Sequence, residues 1–191
     1  MENTYMSYST QNQLLLNKLM EFYKKDNNID KILPIINGEH KVSLRLIDWF
    51  VTNYSKKHYT CYMLADKDKT RRFKVYVDYK LKLKAYSKKR FDPFCRWDRI
   101  VIPYGDDDNV CIQTTLGQLN FFRWALQYKI LDYIEENFDC IDADMNSRNS
   151  SSKNRTSKSK AAKTRKKRKE LSVSATKSIK KEEVEIVVKF D

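Results

Sequence analysis

With three glycines and three prolines in 191 residues, this chain has little material for a loop that cradles phosphates. Walker-type and dinucleotide-binding loops need glycine where the backbone meets a phosphate, and neither pattern occurs. Histidine is equally scarce, with only His40 and His58. No local signature joins either one to a nucleophile. No apolar run approaches the roughly 20 residues that span a bilayer. The first residues, MENTYMSYSTQNQLLLNKLM, lack a basic leader and carry only Leu14–Leu16 as an apolar run. No secretory signal is read there, and a reducing compartment is expected. Cys61, Cys95, Cys111 and Cys140 are then expected to be free thiols packed as small hydrophobes. His58 and Cys61 have half of a zinc-knuckle spacing, but no second close pair completes a set of four ligands. Asp106, Asp107 and Asp108 after Gly105 read as a solvated turn in preference to a magnesium site. The expectation is a protein that is not an enzyme and holds no cofactor or metal.

Charge is the strongest positive signal. The formal net charge is +13, from 38 Lys/Arg and 25 Asp/Glu. The stretch Met145–Lys181 contains 14 Lys/Arg and one acid, Glu170, so it alone carries +13. The remaining 24 basic and 24 acidic residues cancel. A near-neutral domain thus carries a polycation. Its densest part, KTRKKRK, holds Lys163, Arg165, Lys166, Lys167, Arg168 and Lys169. Such a block binds phosphate backbones by releasing counterions, without reading sequence. It also matches the pattern of a nuclear-localisation signal. With no apolar face, it has nothing to insert into a membrane. The Ser/Lys/Asn composition predicts a disordered tail over 141–183. Residues 184–190 (VEIVVKF) are apolar again and strand-like. With the acidic Glu182 and Glu183 before them, they suit addition to a sheet edge and fit the loose pattern of a SUMO-interacting motif.

The expected fold is α+β over 11–140, after a flexible 1–10: a small antiparallel sheet packed by two or three helices. Gln13–Lys25 repeats Leu15, Leu16, Leu19, Met20 and Tyr23 at helical spacing. Ile32–Ile36 is a short apolar run around Pro34, and Asn37-Gly38 is a turn signal. Ser43 can cap a helix over 44–57, with Lys56 and Lys57 suited to its C-terminal end. Short strands are read at 58–65, 100–104 and 110–113, with Pro103 near an edge or end. The clearest period-two stretch, Phe73–Tyr86 (FKVYVDYKLKLKAY), predicts a long half-buried strand. Thr115 and Gln118 have capping-box spacing and open a helix that runs to Phe138. Phe121 and Trp124 lie partly off its stripe, facing another layer or a partner.

Two further stretches carry candidate contacts. Read as a strand, Phe73–Tyr86 sets Lys74, Tyr76, Lys80, Lys82, Lys84 and Tyr86 on its wet face. Aromatics there would stack on bases while cations track phosphates; the competing reading is an ordinary lysine-rich solvated face. The loop RFDPFCRWDR places Arg90, Arg96 and Arg99 among Phe91, Phe94 and Trp97. Arginine in such a setting suits recognition of phosphate or carboxylate. Alternatively the aromatics plug the core while Asp92 and Asp98 pair with the arginines.

At residues 47–57 (IDWFVTNYSKK), 91–96 (FDPFCR) and 114–125 (TTLGQLNFFRWA) the chain resembles a family of small uncharacterised proteins. The family belongs to nucleocytoplasmic large DNA viruses, the mimivirus-like and algal viruses. The resemblance covers about residues 40–138, leaves out the basic tail and supplies no catalytic residues. It implies a viral origin, the host cytoplasm (virus factory) or the virion as location, and DNA or RNA among nearby partners. The basic tail adds the host nucleus. The heavy use of Lys, Asn, Ile and Tyr fits an AT-rich genome. The functional expectation is a non-enzymatic nucleic-acid-associated viral protein whose tail grips phosphate backbones. The alternative is a virion or assembly protein that contacts other viral proteins through Phe121, Trp124 and the C-terminal strand, with the tail only solubilising or targeting.

Overall fold

A computed structural model describes residues 10–25, 27–66, 69–103, 110–156 and 181–183. Helix α1 (Thr10–Lys24) forms on the expected stripe and buries Leu19 and Tyr23. The Tyr23 hydroxyl donates to the Leu119 carbonyl at 2.7 Å, and burial pushes its pKa well above the usual tyrosine range. Helix α2 (Asn28–Asn37) forms where the sequence shows only a short apolar run. Ile32, Ile35 and Ile36 are buried at helical spacing, and that burial outweighs the hydrogen bond that Pro34 cannot donate. The Asn37-Gly38 turn is the helix cap, with Gly38 left-handed at φ 77°.

Helix α3 (Leu44–Trp49) starts at Ser43, whose Oγ accepts from the Leu46 N–H at 3.2 Å. It continues through a π-helical turn, Phe50–Tyr54, into α4 (Ser55–Lys57), so the helix expected over 44–57 is present with a wider turn inside it. Among the described residues, two small antiparallel sheets replace the single sheet expected. Strand β1 (Cys61–Asp66) pairs with β2 (Lys69–Lys74), Cys61 facing Lys74 and Asp66 facing Lys69. Strand β3 (Arg99–Pro103) pairs with β4 (Val110–Thr115), Arg99 facing Thr115 and Pro103 facing Cys111. Pro103 is the last residue of its strand, where a missing N–H is tolerated. Strand β5 (Lys181–Glu183) adds to the other edge of β4.

The long strand over 73–86 does not form. β2 ends at Lys74, and Val75–Arg90 is helix α5, kinked at Ser87, whose φ is 60°. Only Val75 and Val77 are β-branched here, and Tyr-Lys-Leu-Lys-Leu-Lys-Ala is rich in good helix formers. As a helix, the stretch buries Val75 and Tyr79 one turn apart and lays Leu83 and Tyr86 against the core. The same period leaves Val77 and Leu81 52% and 60% exposed. Trp124 Nε1 donates to Asp78 Oδ1 at 2.6 Å and ties α5 to the next helix.

The helix expected over 115–138 is broken into α6 (Leu116–Gln127), α7 (Ile130–Glu136) and α8 (Phe138–Thr156), with Lys129 left-handed at the first break. Thr115 Oγ1 caps α6 by accepting from the Gln118 N–H at 3.1 Å. Phe121 and Trp124 are 0% and 3% exposed, so they pack against another layer of the fold. Helix α8 runs past Cys140 into residues whose composition suggests disorder. Ile141 and Met145 continue the stripe of Phe138 and are buried. Trp49 Nε1 donates to Asp144 Oδ2 at 3.1 Å, and Lys57 pairs with the same carboxylate. The Lys57 contact, with help from Trp49, holds the Asp144 carboxyl below the usual carboxylate range. The KTRKKRK block, the Asp106–Asp108 turn, the first nine residues and the apolar 184–190 lie outside the described residues.

Gly117 allows α6 to start against the end of α5. A Cβ there would sit 2.9 Å from the Lys89 carbonyl oxygen, and the Asp92 N–H donates to the Gly117 carbonyl at 3.2 Å. Gly117→Ala is expected to lower stability by about 1–3 kcal/mol, as overpacking does. Urea unfolding reads this directly, and an unchanged midpoint would mean that the corner is not tight.

Candidate nucleic-acid interface

The α5 helix redistributes the residues expected to share one strand face. Lys80 and Lys84 lie one turn apart on its exposed side, beside Val77 and Leu81. Lys74 stands at the end of β2, and half-buried Tyr76 opens the helix. Lys82 and Tyr86 turn the other way. Lys82 Nζ lies 5.9 Å from the centre of the Tyr128 ring, and the Tyr86 ring stacks near Phe91 at 6.2 Å. The strand platform is therefore replaced by a helix that parts its members. Lys74, Tyr76, Lys80 and Lys84 stay together, while Lys82 and Tyr86 line a separate small hollow.

Residues far away in sequence complete the first group. Lys56 from α4, Tyr59 from the turn after it, and Arg72 from β2 meet Lys74, Tyr76 and Val77 around a hollow of about 460 Å3. Lys56 Nζ lies 5.7 Å from the centre of the Tyr76 ring. Arg72 Nη2 donates to Cys61 Sγ at 3.1 Å. Tyr76 and Val77 also border a second hollow of about 570 Å3, which Lys80, Leu81, Leu83 and Lys84 complete. Five cations, Lys56, Arg72, Lys74, Lys80 and Lys84, thus line two adjoining hollows, and among the described residues no acid lines either one. Sequence reasoning misses Lys56, Tyr59 and Arg72 as site residues. The available signal is the run Lys56-Lys57-His58-Tyr59, which reads first as a helix end.

Of the loop arginines only Arg96 takes the structural alternative, while Asp98 pairs with Lys89 at 2.9 Å. Arg96 makes a forked pair with Asp92, Nε to Oδ2 and Nη2 to Oδ1, each 2.8 Å. The Phe94 N–H donates to Asp92 Oδ1 at 3.1 Å. Arg90 Nη1 donates to Gln11 Oε1 at 3.2 Å, and Arg99 Nη1 to Gln113 Oε1 at 2.9 Å. Phe91 and Phe94 are buried as core plugs, whereas Trp97 stays exposed. Of the four free thiols, only Cys95 is fully buried, and burial raises its pKa. The expectation of four packed thiols holds for that one alone.

Burial, and then the Asp92 carboxylate, raise the Asp48 pKa against the pull of Arg96. Burial first, then the Asp48 and Asp92 charges, push Tyr79 up to about 12. Because the folded Asp48 pKa lies above its unfolded value, ionisation disfavours the fold. Its contribution is full below about pH 4 and declines as pH rises through the folded pKa. Asp48→Asn is expected to raise the melting temperature near neutral pH, with the gain disappearing below about pH 4. Melting curves at both pH values check this; a gain confined to acid would contradict it.

The profile of a family of unknown function, DUF7197, matches residues 2–191. The chain belongs to that family. Uncharacterized protein L507 of Acanthamoeba polyphaga mimivirus is 43% identical over 135 residues, which is 69% of this chain and 52% of that protein. The chain thus spans about half the length of this curated relative. No solved structure matches it. The resemblance to an uncharacterised giant-virus family holds. In this DUF7197 member the three phrases that carry it come together. Gln118 Nε2 donates to the Pro93 carbonyl at 2.9 Å, the Phe91 and Phe121 rings lie 5.3 Å apart, and Ile47, Phe50 and Val51 share one buried cluster with them. Those phrases build a buried junction, and the basic hollows lie mostly outside them.

Proposed function

We propose that this protein is a non-enzymatic nucleic-acid-associated protein of the virus factory or virion. Its polycation, with the dense KTRKKRK block between α8 and β5, grips phosphate backbones, and the α5 face adds a contact surface on the domain. One observation supports the domain's share: five cations gather around adjoining hollows with no acid among their described lining residues, in a domain whose charges sum to zero. Exposed acids such as Asp132, Glu135, Glu136 and Asp139 sit on α7 and α8. An assembly role through Phe121 and Trp124 has no exposed ring to work with, because both are buried. Every phosphate that the surface no longer neutralises should flatten the plot of log affinity against log salt by about 0.7–0.9. The double substitution Lys80→Gln, Lys84→Gln is therefore expected to flatten it by up to about 1.8. A slope equal to that of the parent protein would remove α5 from the contact surface.

A further inference from the structure

Counterion release needs cations and nothing else, yet this surface also holds out an aromatic ring. Tyr59 is 87% exposed and adopts a left-handed backbone at φ 49°. For a residue with a Cβ that conformation costs about 1–2 kcal/mol, and here no burial of the ring offsets it. The ring borders the hollow shared with Lys56, Arg72, Lys74 and Tyr76. Its volume, about 460 Å3, falls in the range of roughly 300–1,000 Å3 typical of ligand sites. Val77 and Leu81 continue an exposed apolar strip from there, flanked by Lys80 and Lys84.

We propose that this groove takes an unpaired base of single-stranded nucleic acid. Tyr59 stacks on the base, the Val77–Leu81 strip covers the neighbouring sugar or base, and Lys74, Lys80 and Lys84 follow the phosphates. A duplex hides its base faces, so it would meet the cations and leave the ring and the strip unused. Stacking is tolerant of sequence because every base has a π face, which suits a site with few fixed hydrogen-bonding groups. This inference rests on the nucleic-acid reading above and names the form of nucleic acid that the domain takes.

The test uses the full-length chain with Gln at Lys163, Arg165, Lys166, Lys167, Arg168 and Lys169, so that the basic block is silent. Fluorescence anisotropy follows short labelled probes of equal length: single-stranded DNA, single-stranded RNA, duplex DNA and an abasic DNA strand. At least one single-stranded probe should bind more tightly than both the duplex and the abasic strand. Tyr59→Ala should weaken that probe roughly 5- to 150-fold and leave the duplex unchanged, while Tyr59→Phe should retain the affinity. The sugar of the tighter probe identifies the natural ligand as DNA or RNA. Equal binding of all four probes, or a Tyr59→Ala variant that matches its parent, overturns the stacking site while leaving phosphate binding in place. No binding of any probe by the unaltered chain at low salt overturns both.

Discussion

Replacing Lys163, Arg165, Lys166, Lys167, Arg168 and Lys169 with Gln is expected to remove most of the salt dependence of duplex binding. Each phosphate neutralised on B-form DNA contributes about −0.9 to the slope of log affinity against log salt. Six such contacts make a slope of about −5, or roughly a thousandfold loss of affinity between about 50 and 200 mM salt. The substituted chain should show a shallow slope and a correspondingly weaker affinity at low salt. Its length is unchanged, so β5 can still reach the edge of β4, and the described residues include none of the six. Circular dichroism should therefore match that of the parent. An unchanged slope would mean that the block does not touch phosphate.

Phe121→Ala is expected to destabilise the domain by about 3–5 kcal/mol, the usual result of deleting a fully buried phenylalanine. Its ring is fully buried, with the Phe91, Trp124 and Phe122 rings 5.3, 5.5 and 5.8 Å away. Phe91 reaches on to Tyr79 at 6.0 Å, so the cluster joins α6, the FDPFCR loop and α5. A domain has a total stability of about 5–15 kcal/mol, so the loss would consume a large share of it. The melting temperature should fall by about 6–20 °C for a chain of this length. Since Trp124 holds Asp78, loosening this cluster should also free α5 and weaken single-strand binding. A cost below about 1 kcal/mol would show that the cluster is not a tightly packed core.

Signals carried within a few residues are legible in the sequence. Ser43 and Thr115 cap the helices expected of them, and β3 and β4 lie where short apolar runs are bounded by turn residues. Phe73–Tyr86 reads wrongly as a strand because alternating Lys and Leu satisfies a period of two as well as a helical stripe. The choice is made by contacts distant in sequence: buried Val75 and Tyr79, and the hydrogen bond from Trp124 to Asp78. Periodicity within the segment does not contain that information. The site is half legible for the same reason. Lys74, Tyr76, Lys80 and Lys84 stand out as cations and aromatics in one run. Lys56, Tyr59 and Arg72 join them only through the chain reversal between α4 and β2. Helical twist sends Lys82 and Tyr86 elsewhere. The acids beside Arg96 and Arg99 foretell a loop that balances its own charge, and this holds only for Arg96, which Asp92 takes. Helix α8 is hard to foresee because Ile141 and Met145 are two apolar residues in a polar stretch, and their effect depends on Trp49 and Lys57 holding Asp144.

The measurement that bears most directly on the central claim is a titration of the unaltered full-length chain into single-stranded and duplex oligonucleotides across a salt series. Binding to both is expected at low salt, with a steep fall in affinity as salt rises and a remaining preference for single strands once the duplex has dissociated. Failure to bind either form at low salt would contradict it.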